Sequence, residues 1–277
     1  MIVDVQGTRI HYRQVGSGPD LLLVHGLPGT LEDWQPLEGF LADSFRLTAI
    51  DRPGHGESDA TGHEWTLEYN AAVVLAVIEK LALKEVTIVG HSYGGATAVA
   101  LAVENPPAVR AVVALAPPSL PHPAQRVDLP MHLVRIPLVG PRLLALLSPL
   151  VGRRTVERGI RAAFRPNHDA LPSGFIERNQ RVWLGPKVVV TTSHEVLALA
   201  ASQRRYVEQY PRIRKRLVLV HGAEDRTVRP AHAEGLHRIV SGSELILLEG
   251  VGHYLQFARP EQVAGIIRRV ATGGDVA

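Results

Sequence analysis

Cysteine is missing altogether from this 277-residue chain. That removes disulfides, thiolate nucleophiles and thiolate-ligated metals from the outset. A strong charge of one sign is missing too, since 30 Lys and Arg face 27 Asp and Glu for a formal net charge of +3. A nucleic-acid surface needs a clustered basic face or a recognisable module, so no nucleic-acid partner is expected. Long lipid-compatible runs are absent as well. The most apolar stretch, Arg135 to Arg153, is broken by Pro137, Pro141, Arg142 and Pro149, whereas a spanning helix needs about 20 apolar residues in a row. Met1-Ile2-Val3-Asp4-Val5-Gln6 has neither the basic nor the apolar region of a secretory signal. A cytoplasmic chain without an integral membrane segment is the default expectation. No P-loop, dinucleotide fingerprint or metal-ligand spacing occurs, so neither cofactor nor metal is implied.

What is present is apolar material, 45% of residues, enough for a sizeable core. Val3 to Val5 and Thr8 to Gln14 alternate in polarity around Gly7, which predicts a small antiparallel hairpin. Leu21 to His25, Arg46 to Ile50, Val86 to Val89 and Val109 to Leu115 are short apolar runs that suit strands buried on both faces. Helical patterns separate them: one capped by Thr66 and running to Leu81, another Ala/Val-rich from Ala96 to Val103. Alternation of this kind predicts an α/β fold with a mostly parallel sheet. From about Pro117 to Tyr210 the strand pattern gives way to short helices. It returns with Leu217 to Val220, a helix after Pro230, a strand over Glu244 to Leu248, and a last helix from Pro260 to about Val270. The expected organisation is a core over residues 1–117 and 209–277, interrupted by a helical insertion over 118–208.

Gly90-His91-Ser92-Tyr93-Gly94 fits the G-x-S-x-G pattern and lies between a strand and a helix. In that context the small residues permit a sharp turn that exposes the serine hydroxyl. A hydroxyl is a weak nucleophile at neutral pH and needs a base, which in turn needs an orienting carboxylate. Among thirteen histidines, His253 stands out because it follows the last strand in the Gly-rich loop Gly250-Val251-Gly252. Asp225, in the loop after Leu217 to Val220, is the expected acid, with its neighbour Glu224 as competitor. Candidate catalytic residues are therefore Ser92, Asp225 and His253. The backbone N–H groups of Leu27 and Tyr93 are the candidate oxyanion donors, because Pro28 cannot donate.

Five ordered motifs now stand together: His25-Gly26, Asp51-Arg52-Pro53-Gly54-His55-Gly56-Glu57-Ser58, Gly90 to Gly95, Gly222 to Asp225, and Gly252-His253. In these the chain resembles the α/β-hydrolase fold-1 family, carboxylesterase-like serine hydrolases with a helical cap. The resemblance implies an eight-stranded, mostly parallel sheet with helices on both sides and a cap over the site. It also implies that Asp51 and His55 are structural, as His25 is expected to be. Relatives resembling haloalkane dehalogenases and epoxide hydrolases use Asp as nucleophile, and Ser92 in that place argues against both activities.

In the insertion, Leu143, Leu144, Ala145, Leu146, Leu147 and Leu150 form a dense apolar segment expected to line the pocket or dock the cap. Leu143, Leu147 and Trp183 are the candidate substrate contacts. Trp183 and Phe175 either touch substrate or pack. Arg154, Arg158, Arg161 and Arg165, spaced by 4, 3 and 4, would share one helix side, as a solvated face or an attraction for acidic substrates or anionic membrane surfaces. The expected partner is a small to medium hydrophobic carboxylic ester or lactone. Cleavage of a C–C bond in a diketone-like acid or acyl transfer would use the same residues, and a ligand-binding receptor on this fold is the reading from outside enzymology. Oligomeric state is not legible in the sequence.

Overall fold

In the computed structural model, residues 1–60, 65–121, 129–136 and 138–274 are described, without the side chains of 129, 130, 150 and 151. The apolar runs become one sheet. Its strands are β1 (Ile2–Val5), β2 (Thr8–Val15), β3 (Asp20–Val24), β4 (Arg46–Ile50), β5 (Val86–His91), β6 (Val109–Leu115), β7 (Arg216–Gly222) and β8 (Glu244–Leu248), in spatial order β1-β2-β4-β3-β5-β6-β7-β8. The β1–β2 hairpin pairs antiparallel and β2 joins β4 antiparallel, while every other pairing is parallel. Register is fixed across the centre by pairs such as Leu22 with Ile88 and Ile88 with Val112. Both faces of β3 and β5 are buried, which is why their sequences are continuously apolar rather than alternating.

Ten α-helices are found among the described residues: α1 (Gln35–Leu41), α2 (Leu67–Lys80), α3 (Tyr93–Val103), α4 (Gly140–Val151), α5 (Arg153–Ala163), α6 (Phe175–Trp183), α7 (Pro186–Val207), α8 (Ala231–Ile239), α9 (Leu255–Ala258) and α10 (Pro260–Thr272). One core cluster packs α2, α3 and α8 against one face through Val74, Ile78, Val99 and Leu236. The other packs α1 and α10 against the opposite face through Leu37, Leu41, Val263 and Ile267. Thr66 caps α2 by accepting the Tyr69 N–H, satisfying one orphan donor of the first turn.

Between β6 and β7 the described residues hold helices only. Their attachment to the sheet layers joins a buried polar network to apolar contacts, Leu199 and Tyr206 of α7 lying in the first core cluster. Glu195 of α7 is 1% exposed and ion-paired with Arg52, itself 0% exposed, at 2.5 Å, while His55 Nε2 lies 2.8 Å from the other carboxylate oxygen. Asn70 donates to the same carboxylate at 3.1 Å. Burial alone would raise the Glu195 pKa, but Arg52 and His55 outweigh it and hold the group at about 2. Lys187 adds two donations, to the carbonyls of Gly56 and Ser58. An aromatic cluster of Phe164, Phe175, Tyr254 and Phe257 completes the attachment, with Phe164 stacked 4.5 Å from Tyr254.

Candidate active site

Ser92 stands between β5 and α3 with φ of +52° and ψ of −120°. A non-glycine residue there is strained, and such strain persists only where the surroundings over-determine it. Here they do. A Cβ at Gly90 would fall 2.2 Å from the Gly94 carbonyl oxygen, and one at Gly94 would fall 2.1 Å from the Val24 carbonyl oxygen. Only glycine lets the turn and the neighbouring strand approach so closely.

Two further loops reach the same place from the carboxyl ends of β7 and β8, where open parallel sheets put their ligands. His253 Nδ1 lies 2.7 Å from Asp225 Oδ2. Asp225 Oδ1 accepts the N–H groups of Thr227 (2.8 Å) and Val228 (3.0 Å). Burial works to raise the Asp225 pKa, yet His253, His221 and their hydrogen bonds hold it well below the usual carboxylate range. The acid is therefore ionised throughout the neutral range, the state needed to fix the imidazole tautomer and stabilise an imidazolium. Glu224, the neighbouring acid, is turned elsewhere and accepts the Val251 N–H at 2.9 Å.

The His253 loop is held from several sides. His91 Nε2 donates to the His253 carbonyl at 2.9 Å, and burial pushes the His91 pKa down to about 3, with nearby His253 acting in the same direction. His91 is thus a neutral donor that adds no charge beside the site. From the helical segment, Asn167 accepts from the Gly252 N–H (3.0 Å) and donates to the Gly250 carbonyl (2.8 Å). The His253 N–H donates to the Ala163 carbonyl.

Ser92 and His253 share the wall of a cavity of about 200 Å³ with Gly26, Leu27, Pro28, Ile160, Trp183, Tyr254 and others. A Cβ on Gly26 would lie 3.0 Å from the Ser92 Cβ, so the loop carrying Leu27 runs tight against the serine. Neither the Leu27 nor the Tyr93 amide is used in a turn, loop or cap hydrogen bond among the described residues. Both are free to serve an oxyanion. The Tyr93 side chain plays a different part, buried under the Arg52 guanidinium at 4.5 Å.

Trp183 forms part of the cavity wall, and its buried Nε1 has no hydrogen-bond partner. Phe175 belongs to the aromatic cluster instead. Leu143 and Leu147 do not reach the cavity. Both are 39% exposed on the outer side of α4, whose Gly140, Leu144 and Ser148, four residues apart, face inward. The expected wall is supplied by α5 through Gly159, Ile160 and Ala163. Of the four spaced arginines, Arg154, Arg158 and Arg161 lie exposed on α5, and Arg165 falls beyond its end. Leu150 lies in α4, but its side chain is outside the described residues.

His25, Asp51 and His55 lie off this cavity. His25 accepts the Arg52 N–H at Nε2 and donates from Nδ1 to the Gly26 carbonyl. Asp51 accepts from the N–H groups of Leu31 and Glu57. All three shape loops around the site. One wall residue has no motif to announce it: Asp33, 2% exposed, lies within a short 3-10 helix over Leu31–Trp34 and accepts the backbone N–H of its N-cap, Thr30. Its Oδ1 lies 3.9 Å from the Arg178 guanidinium, beyond hydrogen-bond range. Burial raises its pKa to about 7, against the pull of Arg178. No group of His, Asp and Glu among the described residues is arranged to hold a metal ion.

The profile of the alpha/beta hydrolase fold family matches residues 19–260. An uncharacterised protein of Mycobacterium tuberculosis is 26% identical over 96% of this chain and 79% of its own length. Bifunctional epoxide hydrolase 2 of Mus musculus is 25% identical over 94% of this chain, which spans 53% of that protein. Among solved structures, the enol-lactonase of Burkholderia xenovorans LB400 superposes with a TM-score of 0.79 at 22% identity, covering 98% of this chain and 100% of that one. That last likeness is one of fold.

Proposed function

Since the chain belongs to the alpha/beta hydrolase fold family, we propose that it is a serine hydrolase of small to medium hydrophobic carboxylic esters or lactones. The observation that carries this reading is the 2.7 Å His253–Asp225 pair, whose His253 lines the same cavity as a strained Ser92. His253 takes the Ser92 proton as the hydroxyl attacks the carbonyl carbon, and Asp225 stabilises the imidazolium so formed. The Leu27 and Tyr93 amides bind the oxyanion, a contribution worth about 3 kcal/mol per donor in comparable sites. The protonated His253 then gives its proton to the leaving alcohol. Water, activated by His253, releases the acid from the acyl-enzyme.

Serine chemistry also bears on the epoxide-hydrolase relatives. A serine opening an epoxide would form an ether, which water cannot release, whereas an acyl-serine hydrolyses. The helical segment over 118–208 serves as a cap in this reading, supplying Ile160 and Trp183 to the wall. A cavity of about 200 Å³ lies below the range of about 300–1,000 Å³ common for ligand pockets, which favours short acyl groups. Its lining is mainly apolar, which suits a hydrophobic ester.

Initial rates on p-nitrophenyl esters of increasing acyl length, for wild type and Ser92→Ala, test the proposal. Turnover by wild type that falls at least about 10³-fold in the variant is expected, with the shortest esters preferred. Equal rates for the two proteins would sink the mechanism. Folded wild type that turns over no ester would move the assignment to C–C hydrolysis or acyl transfer.

A further inference from the structure

Large apolar side chains are seldom left in water together, yet one edge of this molecule does so. Ten large hydrophobic residues are exposed among the described residues, and six of them fall between positions 136 and 147: Ile136, Leu138, Val139, Leu143, Leu146 and Leu147. Leu138 is 75% exposed and Leu146 is 69% exposed. The cause lies in the helix period. In α4, Gly140, Leu144 and Ser148 face inward, towards α7 and the turn before α4, and Ser148 Oγ donates to the Leu184 carbonyl at 3.3 Å. Leucines at the intervening positions then have nowhere to go but outward.

Charge is concentrated in the same segment. Residues 129–165 contain seven arginines, no lysine and a single acid, Glu157, so this stretch carries more positive charge than the whole chain's net +3. Glu157 is already engaged by Arg161 at 2.9 Å. Arg135 and Arg142 are exposed next to the apolar residues in the chain, and Arg153, Arg154 and Arg158 are exposed on the first turns of α5, which follows α4 directly. An apolar face fringed by unopposed arginines is the pattern of a surface that lies in a lipid interface, with the hydrocarbon taking the leucines and anionic headgroups the guanidinium groups.

We propose that the outer face of α4, with its flanking turns and the start of α5, docks this protein onto anionic lipid surfaces. A second copy of the chain is the poorer fit, because two such faces would bring arginines against arginines. The docking also has a consequence for the cavity. Helix α5 follows α4 directly and supplies Gly159, Ile160 and Ala163 to the wall beside Ser92, so attachment would hold that wall close to the reservoir of hydrophobic substrates. The docking stands without the ester reading, and its test needs no turnover.

The full chain would be sedimented with phosphatidylcholine vesicles and with mixed phosphatidylcholine/phosphatidylglycerol vesicles, at low and high salt. Binding to the mixed vesicles alone is expected, weakened at least about tenfold by high salt. Leu138→Asp with Leu146→Asp should cut that binding by at least about tenfold, and Arg142→Gln with Arg153→Gln and Arg154→Gln should flatten its salt dependence. All these sites are exposed, and circular dichroism checks that each variant is folded. No partition onto mixed vesicles would overturn the proposal, as would full binding by the double Leu variant. A concentration-dependent dimer in gel filtration, dissolved by the double Leu variant and accompanied by no vesicle binding, would overturn it in favour of self-association.

Discussion

Asp33 shows at the scale of one residue how far burial can move a group. In the unfolded chain an aspartate titrates near 3.9, whereas in the folded protein desolvation lifts it to about 7 with Arg178 only partly offsetting. A pKa raised on folding means the native state binds the proton more tightly. The group therefore favours folding fully below the unfolded value, and this contribution is lost as pH rises towards 7. An asparagine in its place would not titrate. Relative to Asp33→Asn, wild type should thus lose about 3 kcal/mol of stability between pH 5 and pH 8, read from urea unfolding at both pH values. Parallel curves for the two proteins would show that Asp33 is ionised and compensated throughout. Nothing near Asp33 in the sequence announces this, because burial of a carboxyl is decided by residues far along the chain. Ser92, Asp225 and His253 are candidates for the opposite reason: each sits just after an apolar strand, in a turn or loop containing glycine, so local pattern alone singles them out. Between Glu224 and Asp225, adjacent and chemically alike, the sequence favours Asp225, and in the fold it is Asp225 that meets the imidazole while Glu224 accepts the Val251 N–H.

Among the elements, α7 carries the most unusual arrangement, since an ion pair without exposure normally costs more in desolvation than it returns. Arg52 and Glu195 escape this by satisfying nearly every donor and acceptor: Arg52 also reaches the carbonyls of His25 and Gly26 and the Asn70 side chain. Removing one partner leaves the other charge buried. Glu195→Gln should therefore destabilise the protein by about 3–5 kcal/mol, measured by chemical denaturation, and a loss below about 1 kcal/mol would show that water enters and solvates Arg52. Sequence alone lends Glu195 no prominence, because a single acid in a long helix reads as a solvated position until its partner, 143 residues away, is placed. Helix α4 was misjudged for a related reason. With five leucines among its twelve residues, four of them in the adjacent pairs 143–144 and 146–147, periodicity does not tell the inner face from the outer, so Leu143 and Leu147 read from sequence as pocket residues. The short α1, with Pro36 and Gly39 inside seven residues, carries only one helical repeat of apolar residues, Leu37 with Phe40 and Leu41, too short a pattern to stand out. The strands were easier, because an apolar run of five residues between turns has few other homes.

For the molecule as a whole, the strands of the sheet and the helices of the inserted segment are buried to different extents, and their dynamics should differ accordingly. Strands β3, β5 and β6 are buried on both faces and lie in the middle of the sheet, so exposing their amides requires losing both core clusters at once. By contrast, α4 rests on its neighbours through one stripe of residues and presents an apolar face to water. Opening it forfeits few buried contacts. Native-state hydrogen exchange followed by mass spectrometry should find the amides of β3, β5 and β6 exchanging only at the global unfolding free energy. Those of α4 should exchange through local opening well below it. The polar attachments of α7 predict intermediate protection there, because freeing Glu195 means separating a buried pair from Arg52 and His55. Equal protection of α4 and β5 would mean that the helical segment and the sheet unfold as one cooperative unit. If instead α4 is weakly protected in water and gains protection on mixed phosphatidylcholine/phosphatidylglycerol vesicles while β5 does not change, the same measurement locates the lipid contact on its outer face.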